Sequence, residues 1–386
     1  MPWETGTVEE SRARFVLELE GSVFSFSEVC RRHGISRKTG YKWVERYRAE
    51  GLDGLKDRSH RPESCPHATP EWLVERILEL KRRRGWGAKK LRKLLCDEYG
   101  SAPARDTIHR ILKKHGLVRR GKPRRRRTHP GEPAFDADRP NAVWTADFKG
   151  EFRLGDGTMC YPLTIQDAYS RYLLEIRALR GPTIERSAPS FRRLFLRHGI
   201  PDRIRTDNGH PFASKALGRL SQLSVGWIQV GIRPETIEPG KPQQNPRHER
   251  MHRDLKADTA RPPSTNLKAQ QARFDRFRRE YNEERPHEGI GMETPAARHE
   301  PSQRKLRKPK KVKYPGHFEV RKVASDKTIK WNDRKVFVSN LLRFEYVGLE
   351  EIAERTWAVY YGPIFLGWLD EDDYRIMDVR KHRRRC

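Results

Sequence analysis

Three acidic residues, Asp147, Asp207 and Glu249, each sit in a short polar motif that an ordinary surface carboxylate does not need. Asp147 closes the strand-like run Asn141-Ala142-Val143-Trp144-Thr145-Ala146-Asp147-Phe148 just ahead of Gly150. Asp207 lies in Arg205-Thr206-Asp207-Asn208-Gly209-His210, where a β-rich run meets a turn. Glu249 lies in Gly240-Lys241-Pro242-Gln243-Gln244-Asn245-Pro246-Arg247-His248-Glu249-Arg250, a loop entering a helix. Breaking or transferring a phosphodiester needs a strong nucleophile opposite a poor leaving group. Two Mg²⁺ ions about 3.5–4 Å apart can serve both oxygens of such an in-line displacement. Mg²⁺ takes hard oxygen ligands, and three acids without cysteine or clustered histidine fit two Mg²⁺ ions, with Mn²⁺ as a substitute, rather than structural zinc.

The charge balance points the same way. Lys and Arg total 81 of 386 residues against 52 acids, a net charge of +29. Such an excess predicts strong, salt-sensitive attraction to a polyanion, DNA above all. Five scattered cysteines, never paired as CxxC, argue for a reducing cytosol and against a disulfide framework. The start of the chain has no apolar signal core, and no apolar run approaches the length of a membrane span. The expected location is the cytoplasm.

The elements that must hold the three acids follow from the patterning. Strands are expected over 141–153, 158–167 and 172–179, with Gly155-Asp156-Gly157 as a tight turn. A helix over 183–198, a strand over 200–206, a helix over 212–223 and a strand over 227–236 come next, and a long helix starts near Asn245. This mixed order implies an α/β sheet with a hairpin edge. If the first and fourth strands are neighbours, Asp147 and Asp207 face one another across about 5 Å. Asn245 is a good N-cap and Pro246 a favoured first helical residue, which puts Glu249 on the first turn. Arg253 and Lys256 follow on Glu249's side of that helix as phosphate-binding cations, and Lys241 stands in the loop before it.

Ahead of this domain, residues 11–50 read as a helix, then a helix-turn-helix, with Ser36 capping a helix over 37–49. Its Arg37, Lys38, Tyr41 and Lys42 are candidate DNA contacts, although Gly40 weakens the helix by about 1 kcal/mol relative to Ala. A second helical unit follows, with helices over 71–83, 88–99 and 106–115. Ile108, Ile111 and Leu112 form an apolar face there, bordered by the candidate contacts Arg105 and Arg110. Cys30, His33, His60, Cys65 and His67 lack the regular spacing of a zinc finger. Basic runs at 119–127 and 304–313 read as solvated, flexible linkers. The expected domains are helix-turn-helix units at 1–60 and 61–118, a linker at 119–134, a catalytic core at 135–303, a linker at 304–314, and a small β-barrel with a basic tail at 315–386. Short strands over 317–323, 328–331, 335–338, 356–361 and 364–368 carry the barrel expectation, its lysines and aromatics facing DNA or another subunit.

With these motifs in order, the central domain resembles the catalytic core of DDE transposases and retroviral-type integrases. Trp144-Thr145-Ala146-Asp147-Phe148 resembles the first-aspartate motif and Thr206-Asp207-Asn208-Gly209 the second. Pro239-Gly240-Lys241-Pro242-Gln243-Gln244-Asn245 leading to Glu249-Arg250 resembles the third. Asn282, Arg285-Pro286-His287 and Thr294-Pro295 resemble the signature that closes the core in bacterial insertion-sequence transposases. Pro246 stands where the usual pattern has glycine. The resemblance implies a ribonuclease-H-like fold, catalytic and metal-binding roles for Asp147, Asp207 and Glu249, recognition of terminal inverted repeats, and a homo-oligomer on double-stranded DNA. Asn208 and Asn245 are candidates to orient ligands and waters. A domesticated regulator and a junction-resolving nuclease are the alternatives. Among rival groups, Asp167 reads as a turn acid bonded to local amides or to Arg171. Asp254 and Asp258 fall outside the motif, and His248 and His252 read as solvent-facing.

Overall fold

The computed structural model describes residues 7–58, 68–118, 137–148, 150–237 and 246–378, with only the backbone course given for Pro246 and Arg247. The chain divides into two compact units, Met1–Glu71 and Trp72–Cys386.

In the first unit, helices α1 (Val8–Gly21), α2 (Phe26–Arg32) and α3 (Arg37–Glu50) start at hydroxyl caps, Thr7, Ser25 and Ser36. Each cap oxygen accepts a backbone N–H of the first turn, which no helical carbonyl can reach. Phe15, Val16, Val29, Cys30, Trp43, Val44 and Leu55 form the core between them. Gly40 is explained by this packing. A Cβ there would lie 2.7 Å from Cys30 Sγ and 2.9 Å from the Phe26 ring, so glycine lets α2 cross closely over α3.

The second unit begins with three helices, α4 (Glu71–Arg84), α5 (Ala88–Tyr99) and α6 (Arg105–Lys114). Their apolar stripes bury Ile77, Leu91, Leu95, Ile108 and Leu112, each stabilising by roughly 1.5–3 kcal/mol. The α/β layer follows: β1 (Val143–Phe148), β2 (Phe152–Arg153), β3 (Met159–Asp167), β4 (Leu173–Leu179), α7 (Ile184–His198), β5 (Arg203–Thr206), α8 (Gln222–Gln229), β6 (Arg233–Thr236), α9 (Pro246–Thr259) and α10 (Leu267–Arg279). The sheet runs β2-β3-β1-β5-β6, and β4 also pairs with β3. β1 is antiparallel to β3 and parallel to β5, and β5 is parallel to β6. Trp144, Leu163, Phe191 and Trp227 fill one face beneath α7 and α8. Leu173, Ile176, Met251, Leu255 and Phe274 fill the other beneath α9 and α10.

Two expectations in this layer are corrected. Residues 212–223 are not one helix: a short turn at Leu217–Arg219 precedes α8, which starts at the Ser221 capping box. The first three residues of the strand expected over 227–236 are also helix. Trp227 and Ile228 pack as the buried face of α8, and only Arg233–Thr236 is strand. Tertiary burial overrides the β-propensity of those side chains.

The C-terminal strands are β7 (Glu319–Lys322), β8 (Thr328–Trp331), β9 (Arg334–Phe337), β10 (Tyr346–Ala353), β11 (Thr356–Tyr361), β12 (Ile364–Asp370) and β13 (Arg375–Met377). They pair as a five-stranded sheet, β13-β12-β11-β10-β7, and a β8-β9 hairpin. β9 lies beside β13 and β8 beside β7, so the hairpin spans the two sheet edges without a hydrogen-bonded ladder at either seam. Leu220, Val225 and Ile228 of the α/β layer join Val347, Leu349, Val359 and Leu366 in one apolar cluster.

The basic run 304–313 is not a loose linker. Arg304 O accepts from Ile200 N (2.7 Å), and its guanidinium donates to Pro201 O, Asp202 Oδ1 and Gly231 O. Leu306 packs on the sheet core, and Lys310 N donates to Gln229 O at 3.0 Å. The backbone is fixed while the cations face water.

Candidate functional site

The site is built on strand register. Ala146 pairs with Thr206 across β1 and β5, so the next residues, Asp147 and Asp207, leave neighbouring parallel strands side by side. Asp207 Oδ1 accepts Gly209 N at 3.1 Å, a local turn bond that holds the carboxylate at the strand end. Burial raises the Asp207 carboxyl above its ordinary value, with the Gly209 amide opposing. Asn208 is committed at both ends of its amide: Nδ2 donates to Ile237 O (2.6 Å), and Oδ1 accepts from Arg219. It braces the loop after Asp207.

α9 crosses behind this pair. His248 and His252 are 1 % and 3 % exposed, which corrects their reading as solvent-facing. They are one helical turn apart and point into the sheet. Thr164, opposite Asp147 in the β1–β3 register, donates its hydroxyl to Asp147 O at 3.0 Å. The same oxygen lies 2.6 Å from His248 Nε2 and 2.7 Å from His252 Nε2. His248 Nδ1 is 3.0 Å from Thr145 Oγ1. A threonine hydroxyl has one proton and two lone pairs, so both rings donate from Nε2 if Thr164 donates to Asp147 O. In that arrangement His252 Nδ1 faces Asp147 Oδ2 across 3.6 Å, beyond hydrogen-bond reach. Donor atoms of Asp147, His248 and His252 lie within 4.8 Å of one another. The centre thus holds the nitrogen donors that the sequence reading placed outside it.

Glu249, one residue on from His248, is exposed on the first turn of α9, and Arg253 and Lys256 are exposed beyond it. Asn245 and Lys241 lie outside the described residues. Arg37, Lys38, Tyr41 and Lys42 are exposed on α3, where Tyr41 stacks on Phe26 at 4.1 Å. On α6, Arg105 pairs with Asp106 at 2.8 Å and Arg110 is exposed.

The rival acids separate cleanly. Asp167 is fully buried: Oδ1 accepts Asn141 N, and Oδ2 accepts Ser170 N and Ser170 Oγ, at 2.8, 2.8 and 2.5 Å. It binds local amides and the hydroxyl that ties β3 to the start of β1, and burial raises its carboxyl against those bonds. Asp167→Ala is expected to lower unfolding free energy by about 3 kcal/mol, since it orphans buried donors, while folded protein keeps its activity. Chemical denaturation beside a rate assay checks this; unchanged stability with lost activity would move Asp167 into the site. Asp254 pairs with Arg285 Nη2 at 2.5 Å, which links α9 to the Arg285-Pro286-His287 segment.

Models of an integrase core domain match residues 137–242 and 230–295, which span both aspartate motifs and the Glu249 helix. Residues 137–295 thus carry an integrase core domain of the kind found in transposases and integrases. A helix-turn-helix domain model matches residues 11–63 and a homeodomain-like model residues 39–112, so the helical units ahead of the integrase core are of DNA-binding type. The chain is 28 % identical over 276 residues to an uncharacterized 39.2 kDa protein of insertion element IS476 from Xanthomonas euvesicatoria, covering 69 % of this chain and 75 % of that one. It is 28 % identical over 262 residues to an uncharacterized 31.7 kDa protein of insertion element IS407 from Burkholderia multivorans, covering 66 % and 92 %. Among solved structures, the HTLV-2 integrase catalytic core domain in complex with magnesium aligns at 16 % identity and TM-score 0.34, over 42 % of this chain and 97 % of that one. The BIV integrase catalytic core aligns at 21 % and 0.31, over 41 % and 92 %.

Proposed function

We propose that the protein is a DNA transposase that binds the terminal inverted repeats of its element and catalyses Mg²⁺-dependent 3′-end cleavage and strand transfer. The observation that carries this reading is the placement of Asp147 and Asp207 at matched ends of two parallel strands, inside an integrase core domain. Glu249 supplies the third carboxylate from α9. A divalent cation held by these acids would stabilise charge on the attacking and leaving oxygens. The chain's own groups do the rest. Thr164 and the two histidines fix α9 against β1 and β3, and with it the position of Glu249. Arg253 and Lys256 bind backbone phosphates along the same side of the helix, and α3 and α6 hold the element end. Water displaces the element's 3′ oxygen from phosphorus, leaving a free 3′-OH. That hydroxyl then attacks a phosphodiester of the target and displaces its 3′ oxygen, so the number of phosphodiester bonds is conserved and no ATP is needed. Two ends must be joined together, which calls for a dimer or larger assembly. The C-terminal strands act as a small barrel whose two seams close by side-chain packing. No described helix is long and apolar enough to cross a membrane, and the reaction is assigned to bacterial cytoplasmic DNA.

The test incubates purified protein with a labelled duplex carrying the element's end, in Mg²⁺, in Mn²⁺ and with a chelator, beside Glu249→Gln. Nicking and joining should appear with either metal and vanish with the chelator and in the variant, while duplex binding persists. Tight binding without cleavage in either metal would leave a DNA-binding regulator instead.

A further inference from the structure

Helices α5 and α9 meet the Arg285-Pro286-His287 segment around a polar cavity of about 230 Å³. Four cations line it: Lys90 from α5, Arg171 from the turn after β3, Arg250 from α9, and Arg285. The two carboxylates on its wall are already engaged. Asp254 is held by Arg285 at 2.5 Å, and Glu288 by Lys89 at 2.9 Å, on the outer side of α5. Arg285 Nε is buried with no hydrogen-bond partner among the described residues. Burial, with the Arg285 charge next in size, brings the Lys90 ammonium down to about 8 against the opposing pull of Asp254 and Glu288. The guanidinium of Arg171 lies against Gly289, where a Cβ would collide with it. Glycine at this point keeps Arg171 on the cavity wall.

A small, half-enclosed space with more cations than free carboxylates fits a tetrahedral dianion or a phosphodiester, whose oxygens accept several charge-assisted bonds at once. Arg250 is the residue after Glu249 on α9, so the cavity and the third carboxylate share one rigid helix. We propose that this cavity is a phosphate site that takes a backbone phosphate of a DNA strand passing from α5 to α9. The inference rests on the DNA-transposase reading above and deepens it: the second helical unit and the catalytic helix would grip the same strand. A phosphate seated here would also tie engagement of α5 to the placement of Glu249.

The full chain is labelled with an amine-acylating reagent near pH 8, and the extent at Lys90 is read by mass spectrometry. The reaction is run alone, with inorganic phosphate, and with a duplex of arbitrary sequence. Protection by both additives is expected. Protection by the duplex alone would assign the site to strand phosphates only, whereas protection by inorganic phosphate alone would retain the phosphate site and overturn the strand assignment. Protection by neither overturns the proposal. In parallel, Lys90→Met should weaken duplex binding about tenfold and reduce the salt dependence by about one phosphate contact, with Lys90→Arg restoring the slope. A Lys90→Met slope equal to that of the wild type also overturns it, provided its thermal unfolding shows an intact fold. These readouts need no cleavage, so an inactive enzyme that still protects Lys90 would sink the catalytic reading and leave the site standing.

Discussion

Asp147→Asn is expected to slow end cleavage by about 10³-fold or more while the protein keeps its fold and its grip on DNA. Asparagine has nearly the same shape, and the β1 ladder to β3 and β5 is made by backbone groups that the substitution leaves alone. What goes is one negative charge at the end of β1. A loss on the order of 4 kcal/mol of charge stabilisation in the transition state corresponds to that factor. Asp207→Asn should behave alike, because the two residues leave adjacent strands at matched register. The double variant should be little worse than either single one, since groups that act as a unit are not additive. Single-turnover cleavage of a labelled end with saturating enzyme isolates the chemical step. An Asp147→Asn enzyme within tenfold of wild type would remove the carboxylate pair from the mechanism.

The second large effect concerns acid. Three histidines are packed as neutral rings in the second unit. Burial lowers His198 and His299 to about 4 and His287 to about 3. Tyr172 stacks on His299 at 4.2 Å, and His198 lies 5.6 Å from the same ring. In the unfolded chain these groups titrate near 6.5. Below that value the unfolded state binds more protons than the folded one, so stability is full above about pH 6.5 and falls as pH drops towards 4. Each ring contributes on the order of 3 kcal/mol across that window. The raised carboxyls of Asp167 and Asp207 act in the opposite sense, two groups against three rings. The denaturant midpoint of the Trp72–Cys386 unit should therefore drop steeply between pH 7 and 4.5. A flat or rising midpoint would mean that the rings are not held neutral.

How far the sequence foretold this molecule depends on which residues are asked. Helix α5 stands at the residues its apolar pattern marks, and α3 starts at the serine that caps it, because caps and periodicity are local signals. The strands that carry the two aspartates were legible from their apolar, β-branched patterning. Residues 227–229 misled, since Trp227 and Ile228 suit a strand by type, and only packing makes them helix. His248 and His252 misled in another way. In a run as polar as Pro246–Thr259 nothing marks two imidazoles as the inward side. Their i, i+4 spacing, shared with the apolar pair Met251 and Leu255, was the available clue. Strand β10 was missed because acids and a glycine interrupt its pattern. That glycine, Gly348, is where the Tyr314 ring lies over the strand.

The apolar cluster shared by α8 and the C-terminal strands has a further consequence. Val225 and Ile228 cannot separate from Val347 and Leu366 without exposing a continuous hydrocarbon surface, and the strap anchored at Arg304 and Lys310 leaves no slack between the two parts. The sheet and the strands beyond it should therefore melt in one transition. A duplex seated on the C-terminal strands would then meet Asp147 at a fixed offset along its axis. Two contacts on one such body would be held at a set spacing, with little entropy left to lose when the second forms.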